Sequence, residues 1–293
     1  MNLFFISFLF LSFLWSGNST VADEHPITIA ILAKDKAHCL PLYLSCIEQQ
    51  TWPKNKTYLY IRTNNNNDNS AEILKLWVQS VKDKYLDIYF DDSNLETNIQ
   101  QYHPHEWNYE RLKIMGTLRQ QSIEWAYQKG SHYFVADCDN FIFPHTIEIM
   151  ASRNLSIVAP LLHSNCAYSN FHAAIDKNGY YQSSPFYLPL VNQEIKGIIQ
   201  VPVVHCTYFI RYEILPEIVY DDESYRYEYV IFSDNARKKN IPQYLDTTDV
   251  FGYLTQAEDM KELAAEPWFI PFCNTFYKNL VNGPGTYKNI IHT

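Results

Sequence analysis

Through its first 140 residues the chain alternates strand-length apolar runs with helical patterns, and the last of these runs ends in two carboxylates one residue apart. The first, Ile27-Thr28-Ile29-Ala30-Ile31-Leu32-Ala33, is continuously apolar. That suits a central strand buried on both faces rather than a half-solvated one. Residues 40–50 then place Leu40, Leu44 and Ile47 on one helical side, and Pro41 fits a first turn. Residues 57–63 read as a second strand. The polar run from Asn64 to Ser70 follows, as a loop with Asn69 or Ser70 at a helix N-cap or as a ligand-touching loop at the sheet edge. A helix is expected over 71–81, with Ile73, Leu74, Trp77 and Val78 apolar, and a short strand over 86–90. Residues 91–108 show no period. Residues 109–129 form the longest helical pattern, with Leu112, Met115, Ile123 and Ala126 able to face a sheet and Gly130 as a stop. The strand beginning at His132 comes next. The order β-α-β-α-β-α-β predicts an α/β fold: a mainly parallel sheet with helices on both faces.

That fourth strand, His132-Tyr133-Phe134-Val135-Ala136, delivers Asp137 and Asp139 to its carboxyl end, with Phe141-Ile142-Phe143 beyond. In open α/β sheets ligands bind at that edge. Two carboxylates so close repel unless a positive charge lies between them, and a divalent cation is the usual solution. An acidic loop or helix cap ahead of Pro144 is the plainer reading. The Asp-x-Asp spacing resembles the metal and nucleotide-sugar signature of the GT-A glycosyltransferases.

Beyond Asn140 the pattern gives a short helix over 144–151 and an apolar strand over 156–162. A turn-rich aromatic stretch from Tyr168 to Tyr187 follows, then a strand over 201–209 containing His205 and a helix over 227–239. Periodicity weakens from Thr255 on. No repeat or linker divides the chain, so one domain is expected over 23–260, with 261–293 as an extension. A hydrophobic fraction of 47% and an aromatic fraction of 16% provide ample core. The formal net charge of −9 argues against a nucleic-acid partner. Met1 to Trp15 carries no charged side chain. It is short of the roughly 20 residues a bilayer crossing takes, so residues 1–22 read as a secretory signal peptide, with a signal anchor as the other option. Sequons at Asn18, Asn55 and Asn154 become potential glycan sites in a secretory compartment. Six cysteines suggest buried thiols with one or two disulfides, although Cys39 and Cys46 on one helix lie too far apart to join.

Several short motifs, in order, carry a closer resemblance. They are Leu32-Ala33 with His38, Leu40-Pro41 and Tyr43-Leu44; Asp68-Asn69; Trp107 with Glu110-Arg111; Ala136-Asp137-Cys138-Asp139-Asn140; and Val158-Ala159-Pro160-Leu161-Leu162. Tyr168-Ser169-Asn170-Phe171, Gly179-Tyr180-Tyr181, Val201-Pro202 with Val204-His205-Cys206-Thr207, and Phe251-Gly252-Tyr253 complete the set. Together they resemble the amino-terminal domain of the collagen hydroxylysine galactosyltransferases of glycosyltransferase family 25, a group with the cerebral endothelial cell adhesion molecule among its relatives. The resemblance implies a GT-A fold, a UDP-sugar donor, manganese, a collagen-like acceptor and an endoplasmic reticulum lumenal location. Family members usually continue into a second glycosyltransferase domain and end in a retention tetrapeptide, whereas this chain ends Ile290-Ile291-His292-Thr293. Secretion is therefore the alternative location. Where relatives carry Asp-Asp, this chain has Tyr227-Glu228, and where they often carry His it has Asp249.

From this pattern the expected metal ligands are Asp137, Asp139 and Asp249. Asp139 is the direct ligand, and Asp137 contacts ribose or a metal-bound water. A metal there would stabilise the charge developing on a diphosphate leaving group. Glu228 is the candidate general base for an inverting transfer, or else a solvated helix carboxylate. His205 binds diphosphate or metal, or is a satisfied strand histidine. Arg111 and Arg119 neutralise phosphate, or Arg119 lies on the surface. Asp68 and Asn69 meet uridine, or shape a turn and cap. Trp107 and the Tyr168–Phe171 aromatics stack on uracil or sugar, or serve as core. A transferase of hexose from a UDP-sugar to hydroxylysine is the leading reading. A non-catalytic module that partners a full-length transferase or mediates adhesion is the other.

Overall fold

The computed structural model describes residues 25–95 and 108–276. The expected signal peptide, Asn18, Trp107 and the end of the expected extension lie outside the described residues. Strand β1 (Ile27–Ala33) leads into helix α1 (Leu40–Glu48), followed by β2 (Thr57–Thr63), α2 (Ser70–Val81), β3 (Asp87–Asp91), α3 (Tyr109–Gln128) and β4 (His132–Ala136). β1 is flanked in parallel by β2 and β4, and β2 by β3. This is the parallel half that the alternating pattern predicts.

The second half is irregular. β5 (Asn140–Ile142), α4 (Thr146–Ser152), β6 (Ile157–Pro160), β7 (Phe171–His172) and α5 (Tyr187–Val191) lead to β8 (Ile198–Val201), β9 (Val203–Val204) and β10 (Thr207–Ile210). Then come α6 (Glu228–Lys238), β11 (Gln243–Asp246), β12 (Gly252–Leu254), α7 (Met260–Ala265) and α8 (Phe269–Phe276). The main sheet runs β3-β2-β1-β4-β10-β6-β11-β8, with β10 and β8 antiparallel to their neighbours.

The single strand expected over 201–209 is three. Pro202 lacks an N–H for the ladder, and Cys206 turns the chain with φ +63°. β9 is thereby diverted to pair with β7, while β10 enters the main sheet between β4 and β6. Antiparallel β10 puts its start, not its end, beside the carboxyl end of β4, pairing Thr207 with Ala136. His205 and Cys206 are thus delivered to the same sheet edge as Asp137.

Alternation along β1 divides the core. Ile27, Ile29 and Ile31 join α1, α2 and α4 on one face, while Ala30 joins Ile123 and Ala126 of α3 and Phe232 and Ala236 of α6 on the other. Leu112 and Met115 are only half-buried. The expected break at 260 does not end the packed unit, because Leu263, Trp268, Phe269 and Phe272 belong to the first core. Trp268, just ahead of α8, stacks on Tyr253 at 4.9 Å and meets Phe141 at 5.4 Å, so it buttresses the antiparallel β5–β12 pair just past Asp139. All six cysteines are free, and the expected disulfides are absent.

The same strand pair needs its glycine. Gly252 has φ +156°, and a β-carbon there would fall 2.2 Å from the carbonyl oxygen of Phe141. Gly252→Ala combines backbone strain with a backbone clash and should cost at least about 2 kcal/mol. Urea unfolding would show this as a lower midpoint with an unchanged m-value.

Candidate active site

Asp137 and Asp139 project from the turn after β4, each about a quarter exposed and each holding a basic side chain of its own. The Arg119 guanidinium on α3 meets Asp137 Oδ1 through Nη2 at 2.7 Å. The Lys36 ammonium, from the loop after β1, meets Asp139 Oδ2 at 2.7 Å. Burial would lower the pKa of Lys36, but Asp139 outweighs it and holds the ammonium above the usual lysine value. The turn is fixed from behind: Asp137 N–H donates to the Cys206 carbonyl at 2.9 Å, Thr255 N–H to the Asp139 carbonyl at 3.0 Å, and the buried Asn140 amide shares a 2.7 Å hydrogen bond with Thr207 Oγ1.

Arg119 is not a surface residue. Its accessibility is 3%, and it bridges two acids, reaching Glu228 Oε1 through Nε at 3.3 Å. Burial opposes its charge, yet Asp137, Tyr208 and Glu228 hold its pKa well above the usual value. Glu228, at the first position of α6, is buried rather than solvated, with 6% accessibility. Burial pushes its carboxyl pKa up, and Arg119 offsets that only in part.

Asp68 clamps two backbone amides: Ala37 N–H donates to Oδ2 and Ser70 N–H to Oδ1, both at 2.9 Å. The N-cap is Asn69, whose side chain makes no capping bond. Asp35 answers from the other loop, accepting from Asn67 N–H at 2.6 Å, while its own N–H donates to Asn66 Oδ1 at 2.9 Å. Arg111, in the first turn of α3, is half-buried. Burial holds its guanidinium below the usual value, and the Asp35 charge opposes that. These loops bring Lys36, Asp68 and Asn69 to the same edge as the carboxylate pair.

His205 is 3% accessible and lies against the pair through its neighbour Cys206. Burial first, then the nearby His172 and Arg119 charges, holds its pKa well below the usual value, so the ring is neutral. Asp249 is not gathered in. β12 pairs antiparallel to β5, with Leu254 opposite Asn140 and Gly252 opposite Ile142, so Asp249 lies past the end of the pair away from Asp139. It is exposed and accepts from Val250 N–H at 2.8 Å. Among the described residues no three His, Cys, Asp or Glu side chains are grouped as a metal ion would need. A separate cavity of about 680 Å³, lined by Tyr60, Arg62, Tyr89 and Trp125, contains none of the expected site residues.

Sequence reasoning missed Lys36, His172 and Tyr229. Lys36 sits in Lys34-Asp35-Lys36, where nothing local separates it from Lys34, which pairs at the surface with Asp35 at 2.8 Å. His172 is brought beside His205 by the β7–β9 pairing, and Tyr229 is carried on α6 next to Glu228.

The architecture and the position of the acidic turn define a GT-A glycosyltransferase fold. The chain aligns with S. aureus TarS 1–349 in complex with UDP-GlcNAc at TM-score 0.52 and 14% identity, covering 91% of this chain and 70% of that one. A further structure of S. aureus TarS 1–349 gives 0.51 at 13% identity, covering 90% and 77%. Residues 25–266 match the Glycosyltransferase family 25, N-terminal domain, and the chain belongs to that family. It is 32% identical over 254 residues to Procollagen galactosyltransferase 2 of Mus musculus, covering 81% of this chain and 41% of that protein. It is also 31% identical over 199 residues to Inactive glycosyltransferase 25 family member 3 of Homo sapiens, covering 66% and 33%. The chain thus spans about two-fifths or less of the length of these relatives.

Removing the guanidinium would leave Asp137 and Glu228 without their shared counter-charge. Arg119→Met should destabilise the fold by about 3 kcal/mol at neutral pH. The loss should shrink as pH falls and the buried Glu228 carboxyl, already held above its usual value, protonates. Chemical denaturation of both proteins at pH 7.5 and pH 5 checks the sign, and an equal loss at both pH values would count against the charge-sharing account.

Proposed function

We propose that this domain is a UDP-hexose-dependent glycosyltransferase that transfers galactose, with inversion, to the hydroxyl of hydroxylysine in a collagen-like acceptor. We place it in the endoplasmic reticulum lumen or outside the cell. The observation that carries the reading is the Asp137–Asp139 turn at the carboxyl end of β4, with Arg119 and Lys36 against it. Such an edge receives ligands in open α/β sheets. A diphosphate leaving group needs positive charge beside it. The names of the curated relatives supply galactose and the procollagen acceptor.

A divalent cation such as Mn2+ fits the hard oxygen donors of Asp137 and Asp139. These two would hold it, with Asp139 as the direct ligand, and the diphosphate would supply further oxygens. When bound, it supplies Lewis-acid stabilisation of the departing diphosphate. Asp249, beyond the end of the β5–β12 pair away from Asp139, is not among them. Lys36 and Arg119 add positive charge at the same edge. The acceptor oxygen attacks the anomeric carbon, the bond from that carbon to the diphosphate oxygen breaks, and UDP leaves with the electron pair. Glu228 is the residue on α6 suited to take the hydroxyl proton, because burial has moved its pKa toward working pH.

A second reading is a non-catalytic module that keeps the fold to partner a full-length transferase or to mediate adhesion. Similarity to family members named inactive favours it, as does Glu228 being tied to Arg119. Turnover of UDP-galactose with a hydroxylysine peptide and MnCl2 separates the two readings. Under the enzyme reading Asp139→Asn lowers kcat/KM by at least about a hundredfold, on the scale of losing one transition-state charge contact. The rate should rise with pH through an apparent pKa above the ordinary carboxylate value, since the base works only when ionised, and Glu228→Gln removes that limb. No turnover, with no binding of UDP in the presence of Mn2+, sinks it.

Lys36 and a metal ion contend for the same Asp139 oxygen. Lys36→Met should tighten Mn2+ binding about tenfold, read by the loss of free-ion signal in electron paramagnetic resonance. Equal affinity in the two proteins would mean that the ammonium does not occupy the metal's position.

A further inference from the structure

Next to Asp137 lies a box of rings that the carboxylate pair does not account for. His172 on β7 faces His205 with centroids 5.3 Å apart. Tyr229 packs on both, at 5.8 Å and 5.1 Å, and Tyr168 stands 5.7 Å from His205. Tyr168 is exposed, so the box opens to solvent on that side. The backbone bond from Asp137 N–H to the Cys206 carbonyl ties the box to the acidic turn.

Both imidazoles are buried, at 6% and 3% accessibility, and each keeps one ring nitrogen without a hydrogen-bond partner: Nδ1 of His172 and Nε2 of His205. Arg119 Nη1 is likewise unpaired. Buried polar atoms are almost always paired, so the two imidazole nitrogens call for a partner. Burial moves His172 down to about 4, and His205 is also held neutral. Neutral rings are weak receptors for phosphate but can donate to or accept from a hydroxyl. The other nitrogen of His205, Nδ1, is within 2.9 Å of Cys206 Sγ, and no three-ligand metal group exists among the described residues. Aromatic faces beside such nitrogens match a ligand with polar edges and an apolar C–H face.

We infer that His172, His205, Tyr168 and Tyr229 form the subsite for the hexose ring of the donor, with the two unpaired imidazole nitrogens reading ring hydroxyls and the tyrosines covering its apolar face. This rests on the nucleotide-sugar reading above. The sugar is held by neutral groups on one side of Asp137, and the diphosphate by charged groups on the other.

Calorimetric titration of UDP, UDP-galactose and UDP-glucose, all with MnCl2, tests the division. His172→Phe should weaken binding of at least one UDP-hexose about tenfold while leaving UDP within twofold of wild type. Tyr229→Leu, half-buried and safer for folding, should give the same selective loss, and thermal melts confirm that each variant folds. Equal weakening of UDP and UDP-hexoses would assign the rings to the nucleotide or to the fold, and no change in any of them would remove them from the site. Either outcome overturns the subsite while leaving the nucleotide reading intact. Failure of the wild-type chain to bind UDP at all would overturn both.

Discussion

One buried guanidinium ties the two halves of this molecule together. Arg119 comes from the long helix of the parallel half, Asp137 from the last strand of that half, and Glu228 from the helix that opens the irregular half's final βα segment. A charge at 3% accessibility is tolerable only because two acids share it. The sharing also makes the acids unequal. Asp137 keeps one edge toward solvent, while Glu228 is sealed in and its carboxyl is pushed upward by burial. The interaction that stabilises the junction therefore also restrains, without cancelling, the upward push of burial on Glu228.

The two aspartates of the turn likewise differ in character. Asp137 is held by a buried, rigid, permanently charged side chain, whereas Asp139 is held by a lysine that is 30% exposed on its side-chain surface. A flexible ammonium can leave its partner without opening a core, and a buried guanidinium cannot. Exchange of counter-ions is therefore easy at Asp139 and costly at Asp137, which fits the assignment of direct metal contact to Asp139.

Much of this was legible in the chain. β1 and β2 matched their expected bounds because burial on both faces leaves an uninterrupted apolar run, a signal that needs no partner to be read. The carboxylate turn was legible because it terminates such a run. β10 was not, since its direction depends on Pro202 and on a left-handed Cys206, and no alternation announces a strand inserted between two others from far along the chain. α7 and α8 were missed because six and eight residues are too short a span to show a clear helical period. Asp249 is the opposite case: resemblance placed it with the metal, and the antiparallel register of the short β5–β12 pair puts it beyond the end away from Asp139. His172 lies in a stretch with no period at all, and only the β7–β9 pair brings it beside His205.

The loops after β1 and β2 are cross-stitched in both directions. Asp35 takes Asn67, Asp68 takes Ala37, and Ser70 Oγ accepts from Lys36 N–H at 2.7 Å. They have few ways to move separately. A ligand that displaces one drags the other, so the backbone carrying Lys36 responds to whatever presses on residues 64–70. The edge of the sheet is then a single mechanical lever, and its stiffness, rather than any one contact along it, sets how sharply binding at one end is felt at the other.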